Sequence, residues 1–276
     1  MERISPPVSK IRTPHKLLFP TERVEALDTH GQSWSGDTVK ESIALCPHQL
    51  IEPYFLKYLP RKGKILEAGC GLGRWVFYLR SLGYDIIGID LASEALRIVK
   101  AYDPQAPIYA ENILHTAYPE KSFHAIISLG VVEHFEEGPQ KAFRETYRLL
   151  TDDGLFFVTV PINNLSRRLI ANPLKGLKRW IKKRGRVQYA FEEYRYTRQE
   201  FQILLEESGF EIFVHAPDEF KPPMNIGLYV DYPLFRHRSN KWELNGLGEF
   251  VNSILTALNP WINSAGALWI CRKKKN

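Results

Sequence analysis

The sequence predicts an α/β protein whose mostly parallel sheet carries helices on both faces. Three observations lead there. Short apolar runs alternate with stretches of helical spacing along most of the chain. A glycine-rich turn joins one of those runs to the helix after it. Hydrophobic residues make up 44% and charged residues 25% of the 276 positions, the balance of a chain that buries a real core. Strands alternating with helices imply parallel neighbours joined by right-handed crossovers.

The elements follow in order. Residues 1 to about 30 hold Pro6-Pro7, Pro14 and Pro20 and read as a weakly ordered or surface-bound arm. Asp37 is placed to cap a helix with Val39, Ile43 and Cys46 on its apolar face, and a second helical stretch over 48–59 stops at Pro60. Lys64–Ala68 reads as a strand running into the glycines, and Trp75, Val76, Tyr78 and Leu79 begin a helix that closes near Gly83. The alternation repeats with a strand at Tyr84–Ile89, a helix at Ser93–Tyr102, and strands at Ile108–Ala110 and Ala125–Leu129. Lys141–Leu150 is helical, Asp153-Gly154 a turn and Leu155–Pro161 a strand. Thr197 caps a helix closing at Gly209, a strand covers Phe210–His215, and a last strand covers Gly266–Cys271. Internal repeats and low-complexity segments are not evident.

Composition narrows the function classes. The N-terminus lacks a basic start followed by an apolar run, and no stretch approaches the roughly 18 apolar residues of a spanning helix. Cys46, Cys70 and Cys271 are scattered, so neither a disulfide framework nor a zinc site is indicated and a cytoplasmic setting is expected. The net charge of +6 has one main source: Arg167 to Arg186 holds nine basic residues and no acidic one, and without those nine the rest of the chain carries −3. The basicity therefore belongs to a segment, and no specific nucleic-acid partner is expected.

The chemistry concentrates where the Lys64–Ala68 strand ends. Glu67-Ala68-Gly69-Cys70-Gly71-Leu72-Gly73 sets three glycines in a sharp strand-to-helix turn, where positive φ or close backbone approach favours glycine. Asp90 ends the following strand, placed to accept hydrogen bonds from both hydroxyls of a ribose, or else to cap the next helix. The same pairing occurs in nicotinamide-dependent oxidoreductases, but their G-x-G-x-x-G requires glycine at 74, which is Arg74 here. Glu67, at the carboxyl end of its strand, is either a solvated strand end or the partner of a ligand ammonium.

Glu67–Gly73 resembles motif I of the Rossmann-like, class I S-adenosylmethionine-dependent methyltransferases, and Ala125–Phe135 resembles their ubiquinone-biosynthesis-like branch in particular. Asp90 matches that family's ribose-binding acid, and Glu111-Asn112-Ile113 falls where the family places its adenine contact, with Asn112 replacing the usual aspartate. Ala125–Phe135 resembles the fourth strand and its loop, and Leu149–Leu155 the turn into the fifth. The resemblance covers roughly 50–160 and 195–216. It implies a seven-stranded sheet with one late antiparallel strand and a helical insertion as substrate cap. It also implies a cofactor site of Glu67, Gly69, Cys70, Gly71, Gly73, Asp90, Leu91, Asn112, Ile113 and Leu129. His134 is the candidate catalytic group, a general base if it meets the substrate and a structural residue otherwise. Nothing in the sequence requires a metal.

The expected organisation is an arm over 1–45 that covers the cofactor, with Trp34 and Gly36 near it, and a domain over 46–276 with a basic helical insertion at 162–195. Asn172-Pro173 reads as a helix start, and Leu174, Leu177, Trp180 and Ile181 form an apolar stripe beside Lys175, Lys178, Arg179, Lys182 and Lys183. Two roles fit that stripe over 165–186: a lid packed on its own domain, or a contact with an anionic membrane surface. The expected activity is methyl transfer to a small molecule, apolar or lipid-like. A cofactor-binding module without turnover, a membrane-surface adaptor and a nicotinamide-dependent oxidoreductase are the alternatives.

Overall fold

A computed structural model of the chain describes residues 14–20, 36–182, 189–221, 226–238 and 243–275. In chain order the elements begin with β1 (His15–Pro20), α1 (Gly36–Leu45), α2 (Glu52–Tyr58), β2 (Ile65–Ala68) and α3 (Arg74–Ser81). They continue with β3 (Ile86–Asp90), α4 (Ser93–Tyr102), β4 (Ile108–Ala110), β5 (Phe123–Leu129), α5 (Gln140–Leu149) and β6 (Leu150–Pro161). The last are α6 (Asn172–Lys182), β7 (Tyr189–Arg195), α7 (Arg198–Glu207), β8 (Phe210–Asp218), α8 (Ile226–Asp231), α9 (Gly246–Leu258) and β9 (Gly266–Lys273).

The main sheet has seven strands in the order β4-β3-β2-β5-β6-β9-β8. Pairings from β4 to β6 are parallel, and β9 runs antiparallel to both neighbours, as expected. Both faces are buried, and alternate residues of each strand feed opposite cores. Ile126, Phe156, Val158 and Trp269 pack with Phe143 and Phe201 of α5 and α7. Ala125, Ile127, Phe157 and Ile270 pack with Phe55, Trp75 and Val99 of α2, α3 and α4. Thr197 caps α7 with a full capping box, its side chain accepting from the Glu200 N–H while Glu200 accepts from the Thr197 N–H.

Several elements differ from the sequence expectation. The helix expected over 48–59 starts at Glu52, because Pro53 fits only the first turn; a short 3-10 turn, Cys46–His48, precedes it. Asp37 lies inside α1, which already begins at Gly36. The Asp153-Gly154 turn is an excursion within one long β6, between the pairs Phe123–Leu150 and Ala125–Leu155. Asn172 is not a helix start either. A π-helical turn, Arg167–Ala171, runs directly into α6 with Asn172 in helical conformation, and the side chain accepting the orphan Arg167 N–H belongs to Asn164, at 2.8 Å. The wider turn sits just before Pro173, which has no N–H to give the regular ladder.

The insertion is also not wholly helical: it ends in β7, which pairs antiparallel with β1 of the arm, His15 opposite Arg195 and Pro20 opposite Tyr189. The segment between β8 and β9, for which the sequence offered no reading, holds α8 and α9. Trp34 lies outside the described residues, as do Lys183, Arg184 and Arg186.

Candidate cofactor and acceptor site

The site lies at the carboxyl edge of the sheet, where the strand order reverses. From β2 the chain steps outward to β3 and β4, then returns past β2 to β5 and β6; a crevice at such a switch point is where open α/β sheets bind ligands. The N–H groups of Gly69 and Cys70 both donate to the Ile89 carbonyl, at 2.8 and 3.0 Å, tying the glycine turn to the end of β3. Gly69 has φ +83°, and a Cβ there would lie 2.5 Å from Val131 Cγ2. Gly71 has φ +52° with nothing within 4 Å of the place a Cβ would take, so the turn's backbone faces open space.

Asp90 closes this turn. The Gly71 N–H donates to its Oδ2 at 2.6 Å and the Ala92 N–H to its Oδ1 at 2.8 Å. It is not the cap of α4; that position is Ala92. Each carboxylate oxygen keeps a further lone pair for a ligand hydroxyl. Leu91, next along, is 62% exposed and offers an apolar surface beside the carboxylate. Asn112 follows β4, its Oδ1 accepting the Leu114 N–H at 2.9 Å, so the amide is oriented by its own backbone; Ile113 packs against the core. The Cys70 thiol is buried beside Val76 and Gly88 and burial pushes its pKa well up, which leaves its backbone as the part that faces the turn.

Glu67 is only 4% exposed, and its Oε2 has no hydrogen-bond partner among the described residues. Burial pushes its pKa up to about 8 against the pull of the nearby Arg74 guanidinium. A buried carboxyl without a cation is costly as an anion. A cationic ligand beside it restores the charged form, which expels a proton. Calorimetry at pH 6.5 in buffers of different ionisation enthalpy is expected to show up to about one proton released per adenosyl ligand bound, and none for Glu67→Gln. Equal heats across buffers for the unaltered protein would remove the ammonium role. By the same linkage, a raised carboxyl pKa stabilises the fold below about pH 4.5, and that contribution fades as pH climbs toward 8.

Two cavities adjoin the end of β5. The smaller, about 90 Å3, is lined by Ile51, Arg74, Leu129, Gly130, Thr159 and Asp218, among others. The larger, about 350 Å3, shares Gly130, Thr159, Asp218 and Glu219 with it and extends between Glu133, Arg167, Glu193 and Leu17 of β1. The β1–β7 ribbon and α8 therefore wall a chamber next to the cofactor crevice. Arg167 is fully buried: its Nε donates to Asp231 Oδ2 at 2.5 Å, and its Nη1 to the carbonyls of Ile162 and Ala265 at 2.6 and 3.1 Å. Lys175 reaches the other Asp231 oxygen at 2.7 Å. Two of the nine basic residues thus pin the insertion to α8 rather than pointing into water.

His134 is exposed, and its Nδ1 lies 2.8 Å from the Glu192 carbonyl of β7; it fastens the loop after β5 to the ribbon and does not line either cavity. Its neighbour Glu133 does. His134→Ala is expected to lower turnover less than tenfold, whereas a loss of the 10²–10⁴ typical of a missing general base, with S-adenosylhomocysteine binding intact, would restore the catalytic role. Sequence reasoning missed Arg74, Glu133, Thr159, Asp218 and Glu219 as cavity residues. One signal was available: Asp218-Glu219 ends an apolar strand, as Asp90 does.

A methyltransferase-domain family model matches residues 44–215. The chain belongs to the class I S-adenosylmethionine-dependent methyltransferases. The methyltransferase is 31% identical over 201 residues to the tRNA (carboxymethyluridine(34)-5-O)-methyltransferase of Schizosaccharomyces pombe, covering 71% of this chain and 75% of that protein. It is 29% identical over 182 residues to an uncharacterised protein of Methanocaldococcus jannaschii, covering 61% and 70%. Its fold resembles the crystal structure of an S-adenosylmethionine-dependent methyltransferase from Methanosarcina mazei, at a TM-score of 0.56 and 19% identity, over 81% of this chain and 98% of that one. The match is to the family as a whole and does not select the ubiquinone-biosynthesis-like branch.

S-adenosylmethionine is the cofactor of this methyltransferase, and the residues fit it. The partnerless Glu67 oxygen suits its ammonium, the open backbone at Gly71 gives close approach, and Asp90 suits its ribose.

Proposed function

We propose that this methyltransferase transfers the methyl group of S-adenosylmethionine to a small molecule seated in the 350 Å3 chamber. The observation that carries this reading is the junction at Gly130 and Thr159, which the chamber shares with the small cavity beside Leu129 and Arg74. The bound cofactor supplies a methyl group on a sulfonium, already electrophilic. What the chain adds is placement. Asp90, its carboxylate fixed by the Gly71 N–H, would hold one end and Glu67 the other, and the chamber walls keep the acceptor in line and away from water, a contribution worth several kcal/mol without any covalent help. The volume is at the small end of ligand pockets. Purified protein is expected to bind S-adenosylhomocysteine and to release it from S-adenosylmethionine in the presence of acceptor. Tight NADH binding with none of either adenosyl compound would overturn the reading.

The cap is further proposed to rest on an anionic membrane surface. As far as Leu177 its apolar side chains do not pack inward: Leu165, Leu169, Ile170, Leu174 and Leu177 are all exposed, Leu169 by 67%. Polar contacts hold the insertion instead, Arg167 and Lys175 on Asp231 and Asn172 on Asn163. α9 adds a second exposed apolar row, Leu247, Phe250, Ile254 and Leu258. No helix among the described residues is long and apolar enough to cross a membrane, so contact would be peripheral. Each basic residue near an anionic bilayer adds about 1 kcal/mol. Flotation with phosphatidylserine-rich liposomes is expected to carry the protein up, and reversing Lys178, Arg179, Lys182 and Lys183 to Glu to abolish it. Equal binding to neutral vesicles, or self-association in their absence, would count against the membrane.

A further inference from the structure

The chamber has a charge that the methyltransferase reading alone does not explain. Its two arginines are already committed. Arg167 is held by Asp231 and two backbone carbonyls, and Arg195 by Glu193 at 2.8 Å with Asp231 at 3.7 Å. Besides Glu192 and the paired Glu193, the wall carries Glu133, Asp218 and Glu219, and these three have no ion-pair partner among the described residues.

Glu133 is the most telling of them. It is 2% exposed, it lines the chamber, and its Oε2 has no hydrogen-bond partner among the described residues. Glu219 stands with φ +59°, a backbone conformation that non-glycine residues adopt at a cost and that gathers at functional sites. Its Oε2 comes within 3.1 Å of where a Cβ on Gly266 would be, so a side chain there would press on that carboxyl. Burial pushes the Glu219 carboxyl up to about 8, with the adjacent Asp218 charge adding to the rise, and pushes Glu133 well up as well. At longer range Arg167 and then Arg74 pull the Glu219 carboxyl down, and Arg74 that of Asp218, without an ion pair to either.

We propose that this chamber receives its acceptor as a cation: a small primary or secondary amine whose nitrogen is both the group recognised and the atom methylated. The inference rests on the methyltransferase reading and deepens it. An ammonium entering among the buried Glu133 and the half-buried Asp218 and Glu219 gives those carboxyls an ion-pair partner in the chamber. A carboxylic acid entering the same space adds another like charge, and a neutral alcohol leaves the carboxyls uncompensated, so the chamber discriminates by repulsion as well as by attraction. The same repulsion disfavours the carboxymethyl group named for the fission-yeast relative.

The step balances. The ammonium passes one N–H proton to a chamber carboxylate, for which Glu219 is suited. The freed lone pair attacks the methyl carbon while the carbon–sulfur bond breaks, leaving its electron pair on sulfur as a neutral thioether. The product leaves as a methylated ammonium.

The test uses the full chain, labelled S-adenosylmethionine, and sets of primary amines, alcohols and carboxylic acids built on the same carbon skeletons, with S-adenosylhomocysteine binding measured in parallel by calorimetry. The expected result is kcat/KM for the amines at least about 100-fold above their alcohol and acid counterparts. Glu133→Gln and Glu219→Gln are each expected to raise the amine KM at least tenfold, with S-adenosylhomocysteine affinity held within about twofold. Because Glu133 is buried, its variant is checked for an unchanged melting transition, and the more accessible Glu219→Gln stands in if it fails. Methylation of acids or alcohols as fast as amines overturns the proposal, and so does an amine KM that neither variant moves. Adenosyl binding with no amine methylated also overturns it while leaving the cofactor reading standing; absence of adenosyl binding overturns both.

Discussion

Arg167→Ala is expected to cost about 3–5 kcal/mol of stability, the penalty for leaving one member of a buried ion pair alone, and to lower the melting temperature by roughly 10 °C. Arg167 is 1% exposed, and Asp231, its partner, is equally enclosed. Burial alone would push the Asp231 carboxyl up; Arg167 and then Lys175 overcome that and hold it below the usual carboxylate range. A carboxyl depressed in the folded state contributes stability above its unfolded pKa near 3.8, and that contribution is lost as pH falls through the folded value. The gap between the unaltered protein and Arg167→Ala should therefore persist from pH 7 down to about pH 4 and narrow only below that, which urea titrations at pH 7 and near pH 3 will show. The double variant Arg167→Met with Asp231→Leu is expected to lose less than either single change. A loss under about 1 kcal/mol at pH 7 would mean that the pair does not anchor the cap.

Asp90→Ala is expected to weaken S-adenosylhomocysteine binding by some 30- to 150-fold, equivalent to about 2–3 kcal/mol for a two-point charged hydrogen bond. The structure adds a second reason. The same carboxylate accepts the Gly71 and Ala92 N–H groups at 2.6 and 2.8 Å, so its removal also frees the glycine turn that shapes the crevice. Asp90→Asn separates the two effects poorly, because its amide brings donors to where the backbone already donates. Calorimetry settles the matter: a loss below threefold would take Asp90 out of the ribose site and leave it a brace of the turn.

Both experiments touch residues that were unequally visible in the sequence. Asp90 was legible because its placement is local: an apolar strand ending in an acid, some twenty residues after a glycine turn, implies its location without knowledge of any distant contact. The parallel sheet was legible for the same reason, since alternate residues of strands such as β5 and β6 face two cores and leave near-continuous apolar runs. Arg167 was not legible. In the sequence it opens a basic segment, and a run of arginine and lysine reads as a solvated face until its partner is known. That partner lies 64 positions away.

What the sequence by itself determined is the cofactor half of the protein: the strand–helix rhythm, the turn at Gly69–Gly73 and the acids at Glu67 and Asp90, all set by period and by spacing over a few tens of residues. What only the tertiary structure decided is the acceptor half. The chamber draws Leu17 from the arm, Glu133 from the loop after β5, Glu193 from β7, Asp218 and Glu219 from the end of β8 and Gly266 from β9. β1 and β7, which close it, are paired across some 170 to 180 residues. The physical reason is that the direction and burial of those side chains depend on long-range pairing, and short-range periodicity carries no record of it.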